Sequence, residues 1–244
     1  MTEKSAHVDG FISPSQFYKD KSVNEFCLPE EKIEVIRGGI DLDGYRPSAR
    51  PQDPPVIGYL CRLSEYFGLG ILVDAFLHLK KDPRFTSLKL HVSGGYTGTD
   101  KPFLNSQVKK IASMGFARDF LIRKEFDKAN RIEFLQTLSL LSVPVPIGEA
   151  FGGYQVEALA AGVPVVQPDV GAYPEFAEAT GGGVIYRPNT PEALAEVLGS
   201  LLLDPEKIRV MGEQGRRAVH QDYSMGKMAG NVIRLYSKLL NRGE

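Results

Sequence analysis

From position 55 onward, short apolar runs alternate with amphipathic stretches at a steady beat. The runs at 56–60, 88–92, 120–123, 140–145, 163–167 and 184–186 have the length and composition of buried strands. The intervals carry helical spacing, beginning at 69–81, where Leu72, Ala75, Phe76 and Leu79 share one face. This alternation predicts an α/β fold, a doubly wound parallel sheet of about six strands with helices on both faces. In such sheets ligands sit outside the carboxyl ends of the strands. Pro144 and Pro146 fall in or just after the fourth run, so that strand is expected to end early or lie irregularly.

The two ends of the chain read differently. Residues 10–12, 14–27 and 33–36 suggest strand, helix and strand, followed by the turn Arg37-Gly-Gly-Ile-Asp-Leu-Asp-Gly44. The proline-rich polar stretch 46–55 reads as a hinge. A strand-helix-strand unit cannot bury both of its faces, so the first 48 residues imply a partner layer encoded elsewhere. At the other end the pattern is purely helical, over 190–203, 205–221 and 225–241. Thr190-Pro191-Glu192 supplies an N-cap with proline at the first helical position.

Composition narrows the classes. The 244 residues are 43% hydrophobic and 24% charged, enough for one large α/β domain or for one domain with an appendage. A net charge of −1 gives no basis for general nucleic-acid binding. No apolar run approaches a membrane span, and the N-terminus lacks a signal peptide's apolar region. Cys27 and Cys61 form no metal pattern, nor do the four histidines, and a reducing, cytoplasmic compartment is the expectation. A basic face around Lys101, Lys109 and Lys110 offers a peripheral membrane contact or a solvated helix face.

Candidate chemistry concentrates in Glu149-Ala-Phe-Gly-Gly-Tyr-Gln-Val-Glu157. It follows the apolar run 138–147 and precedes a short helical pattern of Val156, Ala158, Leu159 and Ala161, stopped by Gly162 and Pro164. Unpaired N–H groups at a helix start favour anions, and glycines let a ligand approach the backbone. Two carboxylates flanking such a site suit a ligand with both phosphates and hydroxyls, as a sugar nucleotide has. Gly148 to Gly153 has a phosphate-loop glycine spacing, but Tyr154 stands where that motif has lysine. Gly94-Gly-Tyr-Thr-Gly98 after the second strand is a loop that could line a ligand crevice. Asp41-Leu-Asp43 has the spacing of a metal-holding pair, but short matches of this kind are common, and no metal is expected.

Taken together, these motifs resemble those of the retaining family-4 glycosyltransferases. The matching segments are 37–47, 57–64, 149–153 and 157–166, with Gly171-Ala-Tyr-Pro-Glu175 and 181–188 continuing the likeness, so that it covers nearly the whole chain. The resemblance implies a GT-B fold of two Rossmann-like domains, this chain forming the C-terminal, donor-binding half. Residues 1–48 would then be the end of the acceptor domain with the hinge, 49–222 the nucleotide-sugar domain, and 223–244 a helix packing toward the acceptor domain. Within the likeness Glu157 would bind ribose hydroxyls and Glu149 the transferred sugar. Backbone N–H groups around Phe151, Gly152 and Gly153, with Tyr154 beside them, would meet the diphosphate and sugar. Arg62 would pair with the diphosphate, and the reaction would retain anomeric configuration without cofactor or metal.

One departure concerns charge: the family has lysine five residues after this arginine, and here Phe67 stands in its place. The other is that most of an acceptor domain, with its glycine-rich loop and histidine, has no counterpart in the chain. Three expectations follow: the donor half of an active transferase completed by a missing domain or partner chain; a degenerate or split-subunit nucleotide-sugar module; and a less favoured epimerase acting on the sugar nucleotide. The segment near 120–124 is expected to border the base pocket.

Overall fold

The computed structural model describes residues 5, 7–48 and 52–241. The expected boundary at 49, part of the hinge, and the two extreme termini lie outside them. Among the described residues, six parallel strands form the main sheet: β3 (Val56–Leu60), β4 (Lys89–Ser93), β5 (Phe120–Arg123), β6 (Leu140–Leu141), β7 (Val165–Pro168) and β8 (Gly183–Tyr186). Their lateral order is β5-β4-β3-β6-β7-β8, so winding runs outward from β3 to one edge and then from β6 to the other. Every residue of β3 is buried. Ile57 and Tyr59 face one apolar cluster, and Val56 and Leu60 the other, as a strand covered on both sides requires.

The intervening helices are α2 (Leu69–Leu79), α3 (Lys101–Ser113), α4 (Lys128–Leu135), α5 (Gly153–Ala160) and α6 (Tyr173–Thr180). α7 (Pro191–Leu202), α8 (Pro205–Asp222) and α9 (Met225–Leu240) follow the last strand. α2 buries Leu72, Val73, Ala75, Phe76 and Leu79 as its spacing predicts, and Thr190 caps α7 by accepting from the Ala193 N–H at 3.4 Å.

β6 is much shorter than the 140–145 expected from sequence. Ser142 N–H still reaches the Gly58 carbonyl at 3.0 Å. Val143 N–H goes instead to the buried Gln167 side-chain oxygen at 3.1 Å. Pro144, which has no N–H, then closes the ladder, while Val143 and Val145 remain buried. Hydrophobicity alone therefore overstated the strand by four residues.

Ahead of the main sheet, β1 (Phe11–Ser13) and β2 (Ile33–Val35) make a parallel pair joined by α1 (Gln16–Phe26). This unit is fastened to the rest by backbone groups. Ile40 N–H reaches the Tyr223 carbonyl at 2.9 Å, and Met225 N–H the Ile40 carbonyl at 3.0 Å. α9 lies along β2, with Lys238 3.7 Å from Glu34. Glu175 of α6 accepts from the Gln16 and Phe17 N–H groups, each at 3.1 Å, while the Ser15 hydroxyl takes the Tyr18 N–H at 3.2 Å. The otherwise orphaned donors of α1 are thus satisfied partly from α6, far away in sequence. Glu175→Ala is expected to lower unfolding free energy by about 1–3 kcal/mol in urea titration, with Glu175→Gln losing less. An unchanged midpoint for both would show that the cap contributes nothing.

Candidate functional site

β3 and β6 are neighbours, but their following connections leave the sheet on opposite sides of the switch point. A cleft of about 500 Å³ opens beyond their carboxyl ends. Cys61 and Arg62 enter it from the end of β3, and Gly94, Gly95, Tyr96 and Thr97 from the end of β4. The glycine-rich loop after β4 is therefore a crevice wall. Gly94 holds φ at +152°, and a Cβ there would overlap the Cys61 carbonyl, so only glycine lets the two loops approach. The opposite wall carries Phe126, Arg131, Tyr154 and Glu157.

Gly152 starts α5 with φ at +69°, and a Cβ on it would meet Gln155 Nε2 at 2.7 Å. No side chain caps this helix start. Tyr154 points inward, its hydroxyl 2.7 Å from that of Tyr173. The Tyr59 hydroxyl lies 2.9 Å from the Arg62 carbonyl and 3.2 Å from that of Phe67, pinning the loop after β3 to the sheet.

Of the seven residues singled out from sequence, Arg62, Tyr154 and Glu157 line the cleft. Glu149 is half-buried beside them, near enough to act electrostatically on Cys61, Tyr59, Tyr154 and Tyr173. Burial raises its own pKa above the usual carboxylate range. Burial, then the charge of Glu149, pushes the Cys61 thiol up to about 12. Gly152 and Gly153 form the corner between Glu149 and the cleft wall. The Phe151 ring turns away: it lies over Gly38, stacks on Tyr223 at 6.4 Å and lines a second hollow with Arg37 and Glu175.

Both cations in the cleft have carboxylate partners. Arg62 donates from Nε to Asp100 Oδ2 at 3.0 Å and from Nη2 to Asp100 Oδ1 at 3.2 Å, with Thr97 Oγ1 at 3.1 Å. Arg131 Nε donates to Glu157 Oε2 at 2.8 Å, and its Nη1 to the Phe126 carbonyl at 2.7 Å. Tyr45, just after the turn that follows β2, also faces Glu157, and its phenol is pushed up by burial first and then by that carboxylate. Phe67 packs partly buried against the core, its ring edge-on to Tyr66 at 5.3 Å. Asp41 pairs with Lys128 at 2.5 Å and turns toward the Asp43 N–H, and among the described residues no acidic or histidine cluster has metal-holding geometry. Of the basic face on α3, Lys110 pairs with Asp74.

Sequence reasoning missed Asp100, Arg131, Tyr45 and Phe126. The first two lie 38 and 26 positions from their partners, and no local spacing announces such pairs. Phe126 sits just beyond the 120–124 stretch and covers Gly95, where a Cβ would meet its ring at 3.3 Å.

The chain is similar in sequence and in fold to known proteins. Residues 45–218 match the profile of the family described as glycosyl transferases group 1. A D-inositol 3-phosphate glycosyltransferase of Xylanimonas cellulosilytica is 28% identical over 250 residues, covering 96% of this chain and 58% of that protein. The chain thus spans a little over half the length of that relative. In fold it is similar to Anabaena Alr3699/HepE in complex with UDP and glucose, with a TM-score of 0.81 and 19% identity over 97% of this chain and 65% of that one. It is also similar to the C-terminal domain of a group 1 glycosyl transferase, LpcC, from Francisella tularensis (TM-score 0.67, 20% identity, 77% of this chain and all of that one, 100%). Among the described residues, no helix is long and apolar enough to cross a membrane.

Because Glu149 has a raised pKa, folding favours its neutral form. That stability is fully present below the ordinary carboxylate pKa and is lost as pH rises through the raised one. At neutral pH the buried charge therefore costs stability. Glu149→Gln should raise the melting temperature at about pH 7 and change it less at about pH 4. An equal shift at both would refute the buried-charge account.

Proposed function

The chain belongs to the group 1 glycosyl transferases, and from that premise we propose that it is the donor-binding part of a retaining, family-4-type hexosyltransferase. The proposed reaction moves a sugar from a nucleoside diphosphate sugar to an acceptor hydroxyl. The observation that carries this reading is the cleft at the switch point, which gathers Arg62, the start of α5 and Glu157 around one space. We assign 49–222 to donor binding, 1–48 to the acceptor side and hinge, and 223–244 to a helix returning to the acceptor side.

The proposed roles follow from the chemistry of each group. Arg131 occupies Oε2 of Glu157 and leaves acceptor capacity on the carboxylate for ribose hydroxyls. Phe126 and Tyr96 give an apolar wall on which a base can stack. The uncapped N–H groups after Phe151 face the place for diphosphate and sugar, and Glu149 accepts from the sugar's hydroxyls. When the bond from anomeric carbon to diphosphate oxygen breaks, negative charge grows on the leaving diphosphate. N–H donors and Arg62 lower the barrier by meeting that charge. A specific observation also favours the second reading, a nucleotide-sugar module with weak or no transfer alone. Phe67 supplies no charge, and Arg62 already holds a carboxylate.

UDP, GDP and ADP titrated calorimetrically into the chain should show binding by at least one at millimolar concentration or below. Silence from all three would overturn the donor-site reading. Glu157→Ala should weaken the bound nucleotide about tenfold and abolish its preference over the 2′-deoxy form. Phe67→Lys should tighten the diphosphate by about tenfold if position 67 borders it, and leave it unchanged if Phe67 lies outside the site.

A further inference from the structure

Asp100 occupies the N-cap position of α3, yet its side chain makes no cap hydrogen bond to that helix. It is instead drawn into the loop after β4. It accepts from the Thr97 N–H at 2.7 Å and the Thr97 hydroxyl at 2.8 Å, and it clasps Arg62 through two hydrogen bonds. Its side chain is only 9% exposed, whereas Arg62 remains 47% exposed at the cleft. Three of the five guanidinium N–H donors are engaged by Asp100 and Thr97, which leaves the Nη1 pair toward ligand. Hydrogen bonds from Thr97, backbone first and then hydroxyl, together with Arg62, hold the Asp100 carboxyl below its usual range. The carboxylate is therefore charged wherever the protein is folded at ordinary pH.

Each cleft arginine is thus closed by a carboxylate, Arg62 by Asp100 and Arg131 by Glu157. Phe67 adds no third cation. A guanidinium with a carboxylate fixed at 3.0 Å presents a dipole rather than a net charge to a phosphate approaching from the other side.

We propose that Asp100 is a specificity-determining residue that stands on Arg62 as a built-in anion, so that Arg62 adds little to diphosphate affinity and the phosphate contribution is left to the backbone N–H groups at the start of α5. This rests on the nucleotide reading of the cleft. It assigns a substrate preference, tolerance of ligands carrying less phosphate charge, and it names the side chain that sets it.

The test uses the 244-residue chain and compares a nucleoside diphosphate with its own nucleoside, as uridine against UDP, guanosine against GDP and adenosine against ADP. In Asp100→Asn the ratio of diphosphate to nucleoside affinity should rise by about tenfold, because Arg62 then meets the phosphate uncompensated. Asp100→Ser, which keeps a hydroxyl for the Thr97 N–H, should do the same and serves if the asparagine variant melts early. An unchanged or smaller ratio in both variants, with nucleoside still bound, would overturn the inference and leave the nucleotide reading intact. If neither nucleosides nor diphosphates bind any form, the nucleotide reading falls, and this inference with it.

Discussion

The reversal of winding between β3 and β6 is the constraint on which the rest of the molecule depends. Parallel strands must be joined by crossovers, and a right-handed crossover places its helix on one face or the other according to its lateral direction. Winding outward from β3 and then from β6 covers both faces of the sheet. It also parts the loops that follow the two central strands. The cleft is this parting, so it needs no cavity carved from the core. Burial of β3 on both faces fixes the floor, and the Tyr59 hydroxyl ties that floor to the loop carrying Arg62.

On this rigid base the polar groups are arranged by charge compensation. A buried or half-buried cation without a partner would be costly, and each cleft arginine has a carboxylate within 3.0 Å. These pairs give the walls a defined shape before any ligand arrives. They also lower the net field available to an anion, so pre-organisation and charge attraction pull in opposite directions here. The uncapped start of α5 is the exception: its donors are backbone groups, carry no counter-ion and cannot be neutralised by a side-chain pair elsewhere.

Much of the fold was legible because the signals were local. The run 56–60 is wholly apolar apart from Gly58 and Tyr59 and became β3 without shift, while Thr190-Pro191 marked the start of α7 within one residue. β6 was misjudged because burial and ladder pairing are separate properties: Val143 and Val145 are buried without being strand. The site was legible only where one segment held it. Glu157 follows from the segment's own pattern, whereas Arg62 and Tyr154 were reached only through the family resemblance. Asp100 and Arg131 reach the cleft through topology, from a loop and a helix that sequence reading could place only loosely. Phe151 shows the converse, a residue in the right segment whose ring is claimed by Gly38 and Tyr223.

The 149–157 segment is therefore two-sided. One side gives Tyr154 and Glu157 to the cleft, and the other inserts Phe151 between the turn after β2 and the junction of α8 with α9. The stretch after β2 returns the contact through Tyr45, which is buried against Glu157. Gly39 leaves room for this arrangement: a Cβ there would overlap the Ser224 carbonyl beside the Ile40 hydrogen bonds. Displacing the β1-α1-β2 unit would have to move Phe151 and Tyr45, and with them the two ends of the same short segment. The geometry of the carboxylates is thus set by the sheet beneath them and also by the seating of the residues before the hinge. That is a physical reason for a ligand site and an inter-unit contact to share nine consecutive residues.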